Sequence, residues 1–151
     1  MAKSAVRVSP AAATGDTAGN EAEASAVARL LAETTTAPTT RARPEVLRSL
    51  EAEAGYSEAE IFALVVPKRT LARRKARGEA LTIEETDKAM RLARIAATAR
   101  RVFGDDVKAH RWLRQPKRSL DNQTPLAYLA SESGARLVED MLHQIEHGIS
   151  P

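Results

Sequence analysis

Side chains suited to catalysis or metal binding are few in this sequence. Its only histidines are His110, His143 and His147, and it contains no cysteine. His143 and His147 are four residues apart, so on a helix they would share one face and could both approach a metal ion. No HExxH pattern or further ligand accompanies them, and histidines near a helix C-terminus interact favourably with its partial negative charge. We therefore predict helix-terminal histidines, with no metal and no cofactor.

Motifs for nucleophilic or phosphate chemistry are missing as well. The sequence contains neither a glycine-rich phosphate loop nor a serine-centred nucleophile elbow. It also lacks a plausible acid–base constellation, which makes an enzyme the least supported class of function. The sequence therefore predicts a binding protein.

The most distinctive cluster is basic. Residues 67–77 read PKRTLARRKAR, with Leu71 as the only sizeable apolar side chain. Charge alone fits a solvated helix face as well as a nucleic-acid surface. The preceding residues 57–66, SEAEIFALVV, also have a helical pattern, and Pro67 separates the two segments. This layout predicts a helix-turn-helix, in which the second helix lies in the major groove of DNA.

The predicted recognition helix offers six side chains for DNA binding. They are expected to face outward and are Lys68, Arg69, Thr70, Arg73, Arg74 and Arg77. The first three should approach base edges, and the other cations should neutralise phosphates in a salt-dependent manner. Phe62 and Val65 are expected to pack the two helices together, with Leu71 as the reciprocal contact. The turn departs from the usual motif, because Val65–Val66 stand where glycine is common.

Helix start and stop signals organise the chain from Pro44 onward. Predicted N-caps are Ser57, Thr82, Asp105, Thr124 and Ser133, and Glu60 and Glu85 complete two capping boxes. Predicted ends are Gly55, Gly78, Gly104, Pro116 and Gly148. Apolar contacts are expected from Ile83, Met90 and Ile95, and from Leu137, Val138, Met141, Leu142 and Ile145. No segment shows sustained strand alternation, so the sequence predicts an all-α fold.

Charge is distributed unevenly over the 151 residues. Residues 1–40 carry a net charge of −1, residues 41–118 a net charge of +8, and residues 119–151 a net charge of −4. A basic middle beside an acidic end suggests two different partners. The first 20 residues are small and polar without an apolar period, which predicts disorder. The lack of cysteine, of an apolar membrane span and of a signal-peptide pattern makes the cytoplasm the expected location.

The region from about residue 44 to residue 151 resembles the Xre/MbcA/ParS-type antitoxins. The matching segments are RTLARRKARGEALTIEETDKAMRLARI, the stretch from Ala99 to Asp105, and RWLRQPKRSLDNQTPLAYLASESGARLVEDMLHQIEHGI. The resemblance implies two regions: residues 44–98, a helix-turn-helix for DNA binding and dimerisation, and residues 99–151, a toxin-binding domain. Residues 1–43 contribute little to it, and their composition predicts a disordered or partly helical segment.

The resemblance also implies partners and site residues. Such antitoxins cover the entrance to the NAD pocket of an RES-domain toxin, repress their own operon and dimerise, with higher toxin–antitoxin assemblies expected. Residues expected to build the toxin-binding fold by motif position include Leu120, Val138 and Leu142. The expected toxin-binding set is Trp112, Leu113, Pro125, Leu126, Gly134, His143, Glu146, His147, Ile149 and Ser150. Among these, the last five are the expected direct contacts.

Two other binding functions remain compatible with the residues. One is a stand-alone helix-turn-helix regulator whose C-terminal helices only dimerise or sense a ligand. The other is an adaptor whose basic helix never touches DNA, which predicts unchanged promoter affinity when Arg69 and Arg73 are both replaced by alanine.

Overall fold

A computed structural model describes residues 28–29, 31–32 and 40–149, and between residues 40 and 149 the chain folds into seven α-helices. They are α1 (Val46–Ala52), α2 (Glu58–Leu64), α3 (Lys68–Arg77), α4 (Ile83–Phe103), α5 (Asp106–Arg114), α6 (Pro125–Tyr128) and α7 (Glu132–Glu146). A short 3₁₀ turn, Arg118–Leu120, lies between α5 and α6. The described residues contain no strand beyond an isolated bridge between Lys117 and Gln123, so the all-α prediction is confirmed.

Local capping chemistry starts most of these helices where the sequence predicts. Ser57 and Thr82 each form a complete capping box with Glu60 and Glu85, at the start of α2 and of α4. Asp105 and Thr124 cap α5 and α6, also as predicted. These caps satisfy backbone N–H groups that have no partner within the helix.

The predicted N-cap of the last helix is wrong by two residues. The Ser131 hydroxyl, and not that of Ser133, accepts a hydrogen bond from Gly134 N at 3.1 Å, and α7 begins at Glu132. Both serines could cap a helix on local grounds alone. In the structure, Gly134 also packs so closely against α6 that a Cβ atom there would lie 2.1 Å from the carbonyl oxygen of Tyr128.

Helix α4 is the centre of the fold. It packs against α7, α5 and α1, and one hydrophobic cluster runs from Ala42 to Leu142. The largest fully buried aliphatic side chains of the described residues are Leu50, Val66, Leu81, Leu92, Ile95, Leu113, Leu120, Leu129, Val138 and Leu142. The helix passes without interruption through the predicted domain boundary at residues 98–99, so the two regions share a core.

Two predicted apolar contacts are wrong, because Ile83 is 47% exposed and Leu137 is 43% exposed. The predicted disorder of residues 1–20 lies outside the described residues. Residues 28, 29, 31 and 32 are helical, in agreement with a short helix there. No helix in the described part of the chain is long and apolar enough to cross a membrane.

Candidate partner-binding surfaces

Helix α3 presents most of its basic cluster to solvent. Pro67 stands immediately before the first turn, and Gly78 ends the helix with a left-handed backbone, φ 64°. Leu71 fixes the orientation because it is buried in the core together with Val65. Of the six predicted DNA-binding side chains, the exposed ones are Lys68, Arg69, Arg73 and Arg77, whereas Thr70 is half-buried.

Arg74 does not face outward, so this part of the prediction is wrong. Its side chain is only 13% exposed, and Nε lies 3.0 Å from a carboxylate oxygen of Glu85. A second carboxylate, that of Glu79, lies 3.6 Å from Arg74 Nη1. Because Glu85 also caps α4 by accepting a hydrogen bond from Thr82 N, Arg74 joins the basic helix to the central helix.

Helix α5 is tied to the start of α2 by Arg114. Its Nε and Nη2 each donate a 2.8 Å hydrogen bond to the Glu60 carboxylate, and Nη2 also donates to the Gly55 carbonyl at 3.0 Å. Burial alone would raise the pKa of Glu60, but the hydrogen bonds from Arg114 and from the Ser57 backbone lower it below its usual value. This forked ion pair links the C-terminal helices to the helix that precedes the basic one.

Trp112 lies half-buried at the edge of the core. Its ring centroid is 5.7 Å from that of Phe103, and Lys117 Nζ lies 5.2 Å from the centroid of the Trp112 ring. Burial lowers the pKa of Lys117, and the ring face attracts its positive charge. Leu126 is also half-buried, so Trp112 and Leu126 retain some surface for a partner.

Three residues of the predicted toxin-binding set are buried and hold the fold together. Leu113 is 2% exposed, Pro125 is fully buried, and Gly134 is buried against the Tyr128 carbonyl. None of them presents a side chain to a partner in this arrangement. Leu120, Val138 and Leu142, which were predicted to build the same fold, are also buried.

The end of α7 presents the exposed members of the predicted set. His143, Glu146, His147 and Ile149 are exposed, and Ser150 lies outside the described residues. Arg101 on α4 forms an ion pair with Glu146, and the two atoms His147 Nδ1 and His143 O are 2.7 Å apart. No group of three metal-ligating side chains occurs within the described residues.

The sequence reading missed the arginines that join α4 to α7. Arg91 is only 9% exposed. Its Nε donates a 3.0 Å hydrogen bond to the Glu132 carboxylate, and its Nη1 donates a 3.2 Å hydrogen bond to the Leu129 carbonyl. Arg94 binds Glu139 at 2.6 Å. The hydrogen bond from Arg91 lowers the pKa of Glu132. The sequence does place Arg91 in line with the buried face of α4, which could have indicated a buried arginine. Its partner could not be found in the same way, because Glu132 is 41 residues away.

Comparison with known proteins identifies the C-terminal helices. The family model described as the antitoxin Xre/MbcA/ParS C-terminal toxin-binding domain matches residues 98–148. An Antitoxin Xre of Yersinia enterocolitica is 34% identical over 107 residues, which cover 70% of this chain and 72% of that protein. The chain belongs to the Xre/MbcA/ParS antitoxin family.

Two further relatives with the name Antitoxin Xre are similar over shorter ranges. An Antitoxin Xre of Pseudomonas putida is 43% identical over 84 residues, and one of Photorhabdus laumondii is 37% identical over 82 residues. The matches cover 53% and 55% of these two proteins, so the chain spans about half of their length. Because the family consists of antitoxins, the prediction that the chain is not an enzyme is confirmed.

The Xre/MbcA/ParS toxin-binding match has definite limits in the structure. It begins within α4 and ends at Gly148, two residues after the last residue of α7. It includes both Trp112 and the exposed His143, Glu146 and His147, whereas Ile149 and the whole of α3 lie outside it. The basic helix therefore belongs to a part of the chain that the toxin-binding family does not describe.

Proposed function

We propose that the protein is the antitoxin of a type II toxin–antitoxin system. The observation that carries this proposal is the match of residues 98–148 to a toxin-binding domain. The partner is an RES-domain toxin that depletes NAD and is encoded by the neighbouring gene, and the complex forms in the cytoplasm. Neutralisation is steric, because the C-terminal helices cover the entrance to the toxin's active site and contribute no catalytic group.

The exposed end of α7 is the part of the domain best suited to that contact. Ile149 is 59% exposed, and the exposed His143 and His147 share the end of the same helix. Protein interfaces combine apolar contacts with a polar rim, and Ile149 together with the two histidines offers both kinds of contact. Trp112 contributes from the half-buried edge, while Leu113, Pro125 and Gly134 maintain the shape of the surface.

The second half of the proposal concerns DNA. Helices α2 and α3 form a helix-turn-helix, in which α3 enters the major groove of the operon promoter and represses transcription. The exposed Lys68, Arg69, Arg73 and Arg77 on α3 support this role, because a row of unburied cations suits a polyanion. The protein acts as a homodimer that assembles further with its toxin.

Co-expression with the toxin tests the neutralising role directly. The toxin gene should lie beside this one, and co-expression of the full chain should restore growth that the toxin arrests. A chain truncated after Gly104 should fail to restore growth and fail to capture the toxin in a pull-down. Growth arrest that persists in the presence of the full-length chain would contradict the proposal.

A stand-alone transcriptional regulator is the second candidate. The observation that favours it is that the exposed cations of α3 lie outside the toxin-binding match. Both candidates predict salt-dependent promoter binding, so a gel shift does not separate them. A pull-down with the product of the adjacent gene does, since only the antitoxin retains it.

A further inference from the structure

A cleft of about 300 Å³ lies at the C-terminal end of the basic helix. One wall is the chain that precedes α1, with Arg41, Arg43 and Glu45, and the other is the end of α3, with Lys75 and Glu79. Neither arginine belongs to the predicted DNA-binding set. The cleft therefore extends the positively charged surface beyond the exposed row on α3.

The wall before α1 is held in place by backbone hydrogen bonds. Ala42 N donates to the Thr86 hydroxyl at 3.1 Å, and Leu81 N donates to the Ala42 carbonyl at 2.9 Å. Ala42 is buried, whereas its neighbours Arg41 and Arg43 are exposed. Arg41 Nε also donates to the Leu81 carbonyl at 3.1 Å. These bonds fix the backbone from which Arg41 and Arg43 extend, and the bond to Leu81 also orients the Arg41 side chain.

The charge balance of the cleft favours an anion. Arg74 and Arg77 already bind the Glu79 carboxylate, with N–O distances of 3.6 Å and 3.7 Å. Within the described residues, no ion pair engages Arg41, Arg43 or Lys75. Glu45 is then the one lining carboxylate that opposes these three cations.

We propose that this cleft binds a phosphodiester group of the DNA duplex that α3 enters. The inference rests on the proposed DNA binding by α3. With a rise of about 1.5 Å per residue, Lys75 lies about 10 Å along the helix axis from Lys68. The major groove is about 12 Å wide, so when Lys68 faces base edges, the cleft faces the backbone at the side of the groove. Arg43 can bind phosphate oxygens through two parallel N–H groups, and Lys75 adds a point charge.

Fluorescence anisotropy with a labelled promoter duplex tests the cleft. Arg43→Ala and Lys75→Ala should each weaken binding about fivefold at about 0.15 M salt, and each should reduce the slope of log K against log salt by about 0.9. Glu45→Gln should strengthen binding, because it removes the opposing carboxylate. Arg111→Ala removes an exposed arginine of α5, far along the chain, and should leave both quantities unchanged.

The possible outcomes separate the cleft from the proposed function. If the full-length chain binds the promoter but the slope is unchanged in both cleft variants, the cleft inference fails and DNA binding by α3 stands. If the full-length chain binds no promoter duplex, the DNA half of the proposed function fails, and this inference fails with it.

Inorganic pyrophosphate distinguishes the DNA backbone from a free phosphate compound. Titration of the full-length chain, followed by the NMR signals of the arginine Nε–H groups, should show only weak binding. Saturable binding at low pyrophosphate concentration that Arg43→Ala abolishes, together with unchanged duplex binding in that variant, would assign the cleft to a free phosphate ligand and overturn the inference.

Discussion

The imidazole of His110 packs against the backbone of Gly55 so closely that a Cβ atom added to Gly55 would lie 1.7 Å from His110 Cε1. His110 Nε2 also lies 3.0 Å from the Ala54 carbonyl oxygen. Gly55 has a left-handed backbone, φ 70°, that disfavours any other residue. Helix α5 therefore docks on the chain just after α1 at a position that strongly favours glycine.

Gly55→Ala should destabilise the protein strongly. The left-handed backbone and the overlap with the imidazole act together, so we expect a loss of roughly 2–4 kcal/mol in the free energy of unfolding. The measurement is a urea titration followed by circular dichroism.

Gly78→Ala is the matched control for this substitution. Gly78 has nearly the same backbone, φ 64°, but no atom lies within 4 Å of the position of its Cβ. Only the strain of a left-handed backbone remains in Gly78→Ala, and the expected loss in the free energy of unfolding is about 1 kcal/mol. Equal losses in the two variants would mean that the contact with His110 contributes nothing.

The ion pair between Arg114 and Glu60 should make stability depend on pH. Arg114→Ala should lower the free energy of unfolding by about 1 kcal/mol at about pH 7, a modest value because the pair is partly exposed. The pKa of Glu60 is lower in the folded protein than in the unfolded chain. The stabilisation is therefore complete above the unfolded value of about 4.3, and it disappears as the pH falls through the folded pKa.

Urea titrations at about pH 7 and about pH 3 check this expectation. The difference between the parent chain and Arg114→Ala should shrink at the lower pH. Arg114→Lys keeps the charge but loses the forked geometry, so it should lie between the two. A difference that is the same at both pH values would show that Arg114 acts through packing and not through the carboxylate.

Signals confined to a few neighbouring residues were sufficient to predict most helix boundaries. Each capping box requires only two residues three positions apart, and both were found with their hydrogen bonds in place. Such local signals could not predict the position of the Arg74 side chain. Its position on α3 is that of a surface cation, yet Glu85, 11 residues away, draws its side chain inward. No pattern within α3 specifies that partner.

The exposed row on α3 and the cleft at its end also differ in whether the sequence could predict them. The exposed row on α3 follows from the burial of Leu71, which helical periodicity could predict. The cleft at its end depends on hydrogen bonds between Ala42 and the region of Leu81 and Thr86, about 40 residues later. Periodicity within one helix cannot predict that contact.

The turn after the 3₁₀ segment should gain stability from glycine. Asp121 and Asn122 both have left-handed backbones, with φ 51° and φ 61°. In that region a side chain other than glycine costs about 1–2 kcal/mol, although Asp and Asn tolerate it better than most. Asp121→Gly should therefore be at least as stable as the parent chain, and Asp121→Ala should be less stable than Asp121→Gly by about 1 kcal/mol.

Thermal unfolding monitored by circular dichroism ranks these variants. Ser119 is the control, because it lies in the 3₁₀ turn and is not among the residues with positive φ in the described chain. There the order should reverse, with Ser119→Ala at least as stable as Ser119→Gly. The same order at both positions would contradict the role assigned to the left-handed backbone.

Exposed side chains at the end of α7 should affect toxin capture without affecting folding. Ile149 is 59% exposed and Val107 on α5 is 66% exposed, so an aspartate at either position should leave the free energy of unfolding within about 0.5 kcal/mol of the parent value. Ile149→Asp should weaken toxin binding at least about tenfold, because it introduces a charge into an apolar contact. Calorimetric titration with the toxin measures this loss of affinity directly.

Val107→Asp is the control and should bind the toxin like the parent chain, since Val107 lies outside the predicted contact set. If Val107→Asp is the variant that loses binding, the contact surface is the start of α5 and the assignment to the end of α7 is wrong.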